Sequence, residues 1–139
     1  ELLAQTIGEF EDRFESKNLK IDIEIPNEEV KIKADNRYMY RVIENLFSNI
    51  TKYSIDNSRV YISLTKQNDK IKLEIKNISK DKLNISPDEL MQRFVRGDKS
   101  RYTEGSGLGL SIAKSLTEMQ GGKFDINIDG DLFKVIIEY

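Results

Sequence analysis

Two pairs of segments in which apolar and polar residues alternate, each pair closed by a tight-turn sequence, most constrain how this chain can fold. Val60–Gln67 and Lys70–Lys76 flank Asn68-Asp69; Lys123–Ile128 and Leu132–Tyr139 flank Asp129-Gly130. A period of two marks a strand with one buried face, and a short Asn/Asp/Gly connection joins two such strands antiparallel. Ile21, Ile23 and Ile25 alternate with Asp22 and Glu24 ahead of Pro26-Asn27, and Val30–Ala34 reads as a further short strand. Elsewhere the period becomes helical. Asp35 suits an N-cap for a helix running to about Tyr53, with Met39, Val42, Ile43, Leu46, Phe47 and Ile50 on one face. Leu108–Gln120 is helical and stops at Gly121-Gly122, while Ser86-Pro87 opens a short helix near Pro87–Phe94. Hairpins with helices gathered between them predict one mixed or antiparallel sheet covered by helices on one face.

Residues 1–18 read as a separate helix. Leu3, Ile7, Phe10 and Phe14 form a narrow seam at alternating steps of four and three, with Glu9, Glu11, Asp12, Arg13, Glu15 and Lys17 on the other faces. A surface helix packed on its own domain is one explanation. The end of a longer bundle helix is the one favoured, which divides the chain into 1–18 and 19–139.

A chain of 139 residues and 16.1 kDa is of single-domain size, and no apolar run approaches the roughly 20 residues that span a bilayer. Nothing near Glu1 reads as a signal peptide. The chain has neither cysteine nor histidine. Disulfides, thiolate chemistry, serine-hydrolase triads, the common zinc sites and self-contained phosphohistidine chemistry are therefore excluded. A net charge of −2 argues against general nucleic-acid binding. Chemistry must rest on amides, carboxylates, Lys, Arg and glycine-rich backbone.

Candidate sites of that kind are present. Asn45, Asn49 and Lys52 form a polar stripe about 110° from the apolar face of their helix. It can hold a hydrated Mg²⁺ and a phosphate, or it is a solvated edge. Gly105-Ser106-Gly107-Leu108-Gly109-Leu110-Ser111 runs into the last helix, so its backbone and the helix N-terminus can cradle an anion. It follows no strand directly and lacks G-K-[ST], which excludes the dinucleotide fingerprint and the P-loop. A plain helix-initiating turn is the alternative. Residues 95–104, with Arg96, Lys99 and Arg101, can fold over a triphosphate, or form a charged surface loop.

Together, E-N-L-F-S-N-I-T-K-Y-S (44–54), M-Q-R-F-V-R-G-D-K-S-R (91–101) and E-G-S-G-L-G-L-S-I-A-K-S (104–115) resemble the N box, the F box with the base of the ATP lid, and the second glycine box of one family. It is the catalytic ATP-binding domain of bacterial sensor histidine kinases, within the gyrase–Hsp90–histidine kinase–MutL superfamily. The resemblance implies the Bergerat α/β sandwich, a mixed, mostly antiparallel five-stranded sheet covered on one face by three helices. It implies ATP and Mg²⁺ as cofactors, with Asn49 a metal ligand supported by Asn45. Lys52 and Tyr53 would approach the nucleotide, Arg96 would reach the terminal phosphate with Lys99 and Arg101 nearby, and Gly105, Gly107, Leu108, Gly109 and Leu110 would line the phosphates. The γ-phosphoryl would pass to a histidine on a separate dimerisation domain, and then to a response regulator. The whole protein would be a membrane-anchored homodimer with this piece on the cytoplasmic side, monomeric alone.

One box departs from the family pattern. Counting back from Phe94, the adenine-binding aspartate of D-x-G-x-G falls on Asn77, and its glycines on Ser79 and Asp81. A neutral acceptor in place of a charged one predicts adenine binding weaker by roughly three- to thirtyfold. A degenerate interaction module is thus an alternative. A superfamily ATPase is a weaker one, because Asn45 occupies the position of the general-base glutamate and cannot take a proton from water. Glu44 lies about 100° around the helix from it.

Overall fold

The computed structural model describes residues 2–26, 30, 32, 34–80 and 109–139. The helix expected near 87–94, the segment 95–104 and the candidate residues Arg96, Lys99, Arg101, Gly105, Gly107 and Leu108 lie outside the described residues, as does Asp81.

The described elements are α1 (Leu2–Glu9), α2 (Glu11–Ser16), β1 (Lys20–Glu24), α3 (Asn36–Tyr53), β2 (Arg59–Gln67), β3 (Lys70–Ile78), α4 (Gly109–Met119), β4 (Lys123–Asp129) and β5 (Leu132–Glu138). They form a five-stranded sheet in the order β1-β2-β3-β5-β4. β1 runs parallel to β2, and every other neighbouring pair is antiparallel. The α/β architecture expected from the sequence is therefore present, with helices over one face.

Strand register follows from the alternation. In β3, Ile71, Leu73, Ile75 and Asn77 are buried, and Val60 and Ile62 of β2 and Phe133, Val135 and Ile137 of β5 share their face. Lys72, Glu74 and Lys76 alternate onto the opposite face. The β2–β3 turn is Asn68-Asp69, as expected, with Asn68 in the left-handed region at φ 56°. The β4–β5 turn sits one residue later than expected. It is Gly130-Asp131, because Gly130 supplies the positive φ of 63° at the first turn position and leaves Asp129 paired with Leu132.

α3 forms as its pattern predicts. Asp35 accepts from the backbone N–H groups of Arg37 (2.8 Å) and Tyr38 (3.4 Å), and those bonds hold its carboxyl below the ordinary value of 3.8. All six apolar positions of its core face are buried. α4 ends in a Schellman arrangement. Gly122 donates to Thr117 O and Gly121 to Glu118 O, with Gly121 at φ 84°.

Two further sequence expectations need correction. Residues 1–18 are not one helix standing apart. The stretch is interrupted at Phe10 (φ −97°, ψ 1°), and this bend lays both Phe10 and Phe14 against Phe47 of α3, at ring-centroid distances of 5.7 Å each. Leu3, Phe10 and Phe14 are core residues, so the apolar seam is satisfied within this fold. Nor do Val30, Ile32 and Ala34 form a strand. They are half-buried and line an apolar recess of about 510 Å³ with Leu2, Met39 and Tyr139, so they cover the end of the core rather than extend the sheet.

Candidate functional site

α3 is met near its middle by the first turn of α4 and at its C-terminal end by the last residues of β3. Ser54 caps α3 from an extended conformation, its N–H donating to Ile50 O. Chain direction then reverses, Ile55 N donates to Ile78 O, and Ser54 forms an isolated antiparallel bridge with Ser79. Lys80 N donates to Tyr53 O at 2.9 Å. The end of the asparagine helix is thus sewn to the end of β3.

Asn77 faces the helices from β3 and is only 2% exposed. Its Nδ2 donates to the Oγ of the fully buried Ser54 at 2.8 Å. Burying an amide in this way requires partners. Ser79 is also buried, and its N–H donates to Asp131 O at 2.7 Å. Of the positions that depart from the D-x-G-x-G pattern, these two are among the described residues, and both serve the junction of strand, helix and hairpin turn.

Asn45 and Asn49 lie one turn apart on α3, half-buried, with Lys52 and Tyr53 following on the same half of the helix. Asn45 abuts the start of α4: a Cβ built on Gly109 would lie 3.5 Å from Asn45 Oδ1. Asn45 Nδ2 is buried and has no hydrogen-bond partner among the described residues. An unpaired buried donor is uncommon and calls for an acceptor. Leu110, one residue into α4, is 1% exposed and belongs to the core, which anchors the helix N-terminus beside Asn45. The structure therefore brings Asn45 and Gly109 together, sets Asn49, Lys52 and Tyr53 along the same helix, and places Asn77 across from its end.

On the other flank of α3, Glu44 lines a polar crevice of about 330 Å³ together with Glu9, Arg13, Tyr40 and Ser48, and Asn45 touches it too. Tyr40 donates to Glu9 Oε2 at 2.7 Å, and that bond, with burial and the nearby Glu44 carboxylate, pushes its phenol up to about 12.

Two residues that the sequence pattern passes over belong to this end of the molecule. Ser54 is quoted within the N-box string but carries no periodic signal of its own. Lys17 looks like a solvated charge, yet its Nζ donates to Thr51 O (2.8 Å) and Ser54 O (2.7 Å). Burial lowers its pKa, Asp56 at 3.9 Å opposes that shift, and Lys80 adds to it. A contact spanning 37 positions leaves no local trace in sequence.

As to metals, no cluster of three or more acidic, histidine or cysteine side chains occurs among the described residues. Mg²⁺ does not require one, since it commonly keeps several waters and binds one or two side-chain oxygens plus substrate phosphates. The amide oxygen of Asn49 fits that role. The unpaired Asn45 Nδ2 is a donor, so it fits a phosphate oxygen or a metal-bound water better than the ion itself.

A family model described as histidine kinase-, DNA gyrase B-, and HSP90-like ATPase matches residues 34–138. The chain is 36% identical over 103 residues to the sensor protein GtcS of Aneurinibacillus migulanus, covering 74% of this chain and 28% of that protein. It superimposes on the catalytic domain of histidine kinase ThkA with a TM-score of 0.81 at 25% identity, covering 99% of this chain and 88% of that one. It matches ThkA in complex with the response regulator TrrA with a TM-score of 0.77 at 21% identity, covering 99% of this chain and 38% of that one.

Proposed function

This chain belongs to the histidine kinase-, DNA gyrase B- and HSP90-like ATPase family, and from that membership we propose that it binds Mg-ATP as the catalytic domain of a sensor histidine kinase. The single observation that carries the assignment of the site is the unpaired, buried Asn45 amide facing the first turn of α4. A helix N-terminus offers free N–H groups and a positive dipole end to an anion, and the Asn45 amide, its oxygen toward Gly109, adds a buried unpaired donor beside that helix start.

In this proposal the triphosphate lies between Asn45, Asn49 and Lys52 on α3 and the glycine run that ends at Gly109 and Leu110. Asn49 would hold Mg²⁺, with Asn45 supporting it. When bound, the metal would neutralise phosphate charge. Tyr53 approaches the nucleotide. Asn77 would serve the base end: with Nδ2 given to Ser54, its oxygen would be the group left to accept from an adenine amine. Arg96 would answer the terminal phosphate, with Lys99 and Arg101 as further cations and Gly105, Gly107 and Leu108 as backbone around the anion.

The chain spans about a quarter of the curated relative's length, so the acceptor is sought outside it. With no histidine of its own, it would donate the γ-phosphoryl to a histidine on a dimerisation domain. That domain would then pass it to a response regulator, the class of partner bound in the ThkA complex. The whole protein would be a homodimer anchored in the bacterial membrane with this domain on the cytoplasmic side; no described helix is long and apolar enough to cross a membrane. Residues 2–18, which pack against α3 through Phe10 and Phe14, would also lead in from the dimerisation helix.

Titration of ATP with and without Mg²⁺, against wild type and Asn49→Ala, tests the proposal. Metal-dependent binding that Asn49→Ala abolishes supports it. Equal binding in all four experiments, or none, favours instead a degenerate interaction module. The structural use of Asn77 and Ser79 in place of the family's aspartate and glycine is the observation on that side.

A further inference from the structure

We propose that Lys17 is a positioning residue for the base end of the nucleotide site, fixing the α3 terminus and, through Ser54, the Asn77 amide. This rests on the nucleotide-site proposal above and adds to it a residue outside every motif of the family.

The geometry is a clasp between two turns. At the α2–β1 turn Asn18 is in the left-handed region (φ 52°), and at the turn after α3 so is Asn57 (φ 62°). Asn18 Nδ2 donates to Asn57 Oδ1 at 2.6 Å, and Asn57 N donates to Lys17 O at 3.0 Å. Lys20 N donates to Ser58 O as β1 begins. From this clasp the Lys17 side chain reaches under α3, where its ammonium binds the carbonyls of Thr51 and Ser54. Those carbonyls are among the last of a helix and have no intrahelical partner, and a cation there also meets the negative end of the helix dipole. The Lys17 side chain is 20% exposed, so the contact is largely shielded from water.

Ser54 is the hub. Its carbonyl takes the Lys17 proton donor, its N–H closes α3, and its Oγ accepts from Asn77. An Asn amide can rotate by half a turn and exchange its donor and acceptor ends. A serine hydroxyl can pair with either end, so what holding Ser54 in place fixes is the position of the Asn77 amide rather than the end it presents. Without the ammonium, Thr51 and Ser54 carbonyls lose their shared donor and the α3 terminus gains freedom to shift. The phosphate end at Asn45 and Gly109 lies two to three helical turns away by position along α3 and has its own anchor in Leu110.

The two ends can therefore be separated by ligand. Calorimetric titrations of ATP, GTP and inorganic tripolyphosphate, each with Mg²⁺, are compared for wild type, Lys17→Met and Lys17→Arg. The expected result is ATP affinity reduced roughly five- to tenfold in Lys17→Met, ATP-over-GTP preference reduced with it, and tripolyphosphate affinity within about twofold of wild type. Lys17→Arg, which can still donate to both carbonyls, should recover ATP binding to within about threefold. Amide spectra should show the Asn77 side-chain NH₂ signals displaced in Lys17→Met. Should Lys17→Met fail to fold, Lys17→Gln, which retains a donor but not the charge, is read by the same criteria. Unchanged ATP affinity, an equal loss for ATP and tripolyphosphate, or undisplaced Asn77 signals would overturn the role of Lys17. Wild type that binds neither ATP nor tripolyphosphate would overturn the nucleotide site itself, and the role of Lys17 with it.

Discussion

Gly109 offers the cleanest separation of fold from ligand at the scale of a residue. A Cβ there would meet Asn45 at 3.5 Å or more, which is ordinary contact, and its φ is not in the left-handed region. The described fold therefore has no need for glycine at this helical position, where alanine should raise helix stability by up to about 1 kcal/mol. In the proposed site the same methyl would stand where the backbone comes close to a phosphate. Gly109→Ala is expected to leave the melting temperature unchanged or higher while weakening Mg-ATP at least tenfold, read by thermal melts beside calorimetry. Asn45→Leu makes the complementary case. Removing an orphan buried donor should cost little stability in the absence of nucleotide, and should lower nucleotide affinity. The asparagine stripe and the final glycine were legible because their types and spacing are local. Ser54 and Lys17 were not, because a serine after a helix and a lysine among other charges acquire meaning only through contacts made across the fold.

Among the elements, helix ends are the most specific features. Asp35 caps α3, and Gln120 at the end of α4 accepts from Asp35 N at 2.8 Å, donating in turn to Leu116 O. The start of one helix is thereby fastened to the end of the other. Since the folded carboxyl of Asp35 titrates below 3.8, its contribution to stability is complete above that value and disappears as pH falls through the lowered one. Acid melts of Asp35→Asn should run closer to those of wild type as the pH drops toward 2, with the gap widest above pH 5. Gly122 makes a different demand. A Cβ there would lie 2.9 Å from both Thr117 Cγ2 and Tyr139 Cε1 and 3.0 Å from Glu138 O. Gly122→Ala should destabilise by about 1–3 kcal/mol, measured by chemical denaturation, because backbone lies on one side of the intruding methyl. These glycine and aspartate signals could be read in advance. The bend at Phe10 could not, since the spacing of Leu3, Ile7, Phe10 and Phe14 is the same for a straight seam and for one folded around Phe47.

For the whole molecule, the N-terminal helical pair completes one side of the core. Phe10 and Phe14 both pack on Phe47, which is fully buried. Phe14→Ala should cost about 3–5 kcal/mol, and a chain beginning at residue 19 should melt far below the intact one or bind a dye specific for exposed apolar surface. β2–β5 and the main helices were readable from periodicity because each buries one regular face, whereas the alternating isoleucines Ile23 and Ile25 in and after β1 are exposed. The placement of residues 1–18 was not, because a narrow apolar seam satisfies a distant bundle and a nearby core equally well.

β1 lies at the margin of the sheet and is joined to β2 in parallel, so the stretch that carries it must travel around α3 before the two can meet. Such a pairing is formed late and released early, as it gains little until the intervening helix is in place. Deuterium uptake should accordingly be fastest at the amides of Lys20–Glu24 and slowest in β3 and β5, which have neighbours on both sides. β1 would then behave as a buckle, able to loosen while α1 and α2 stay docked on α3.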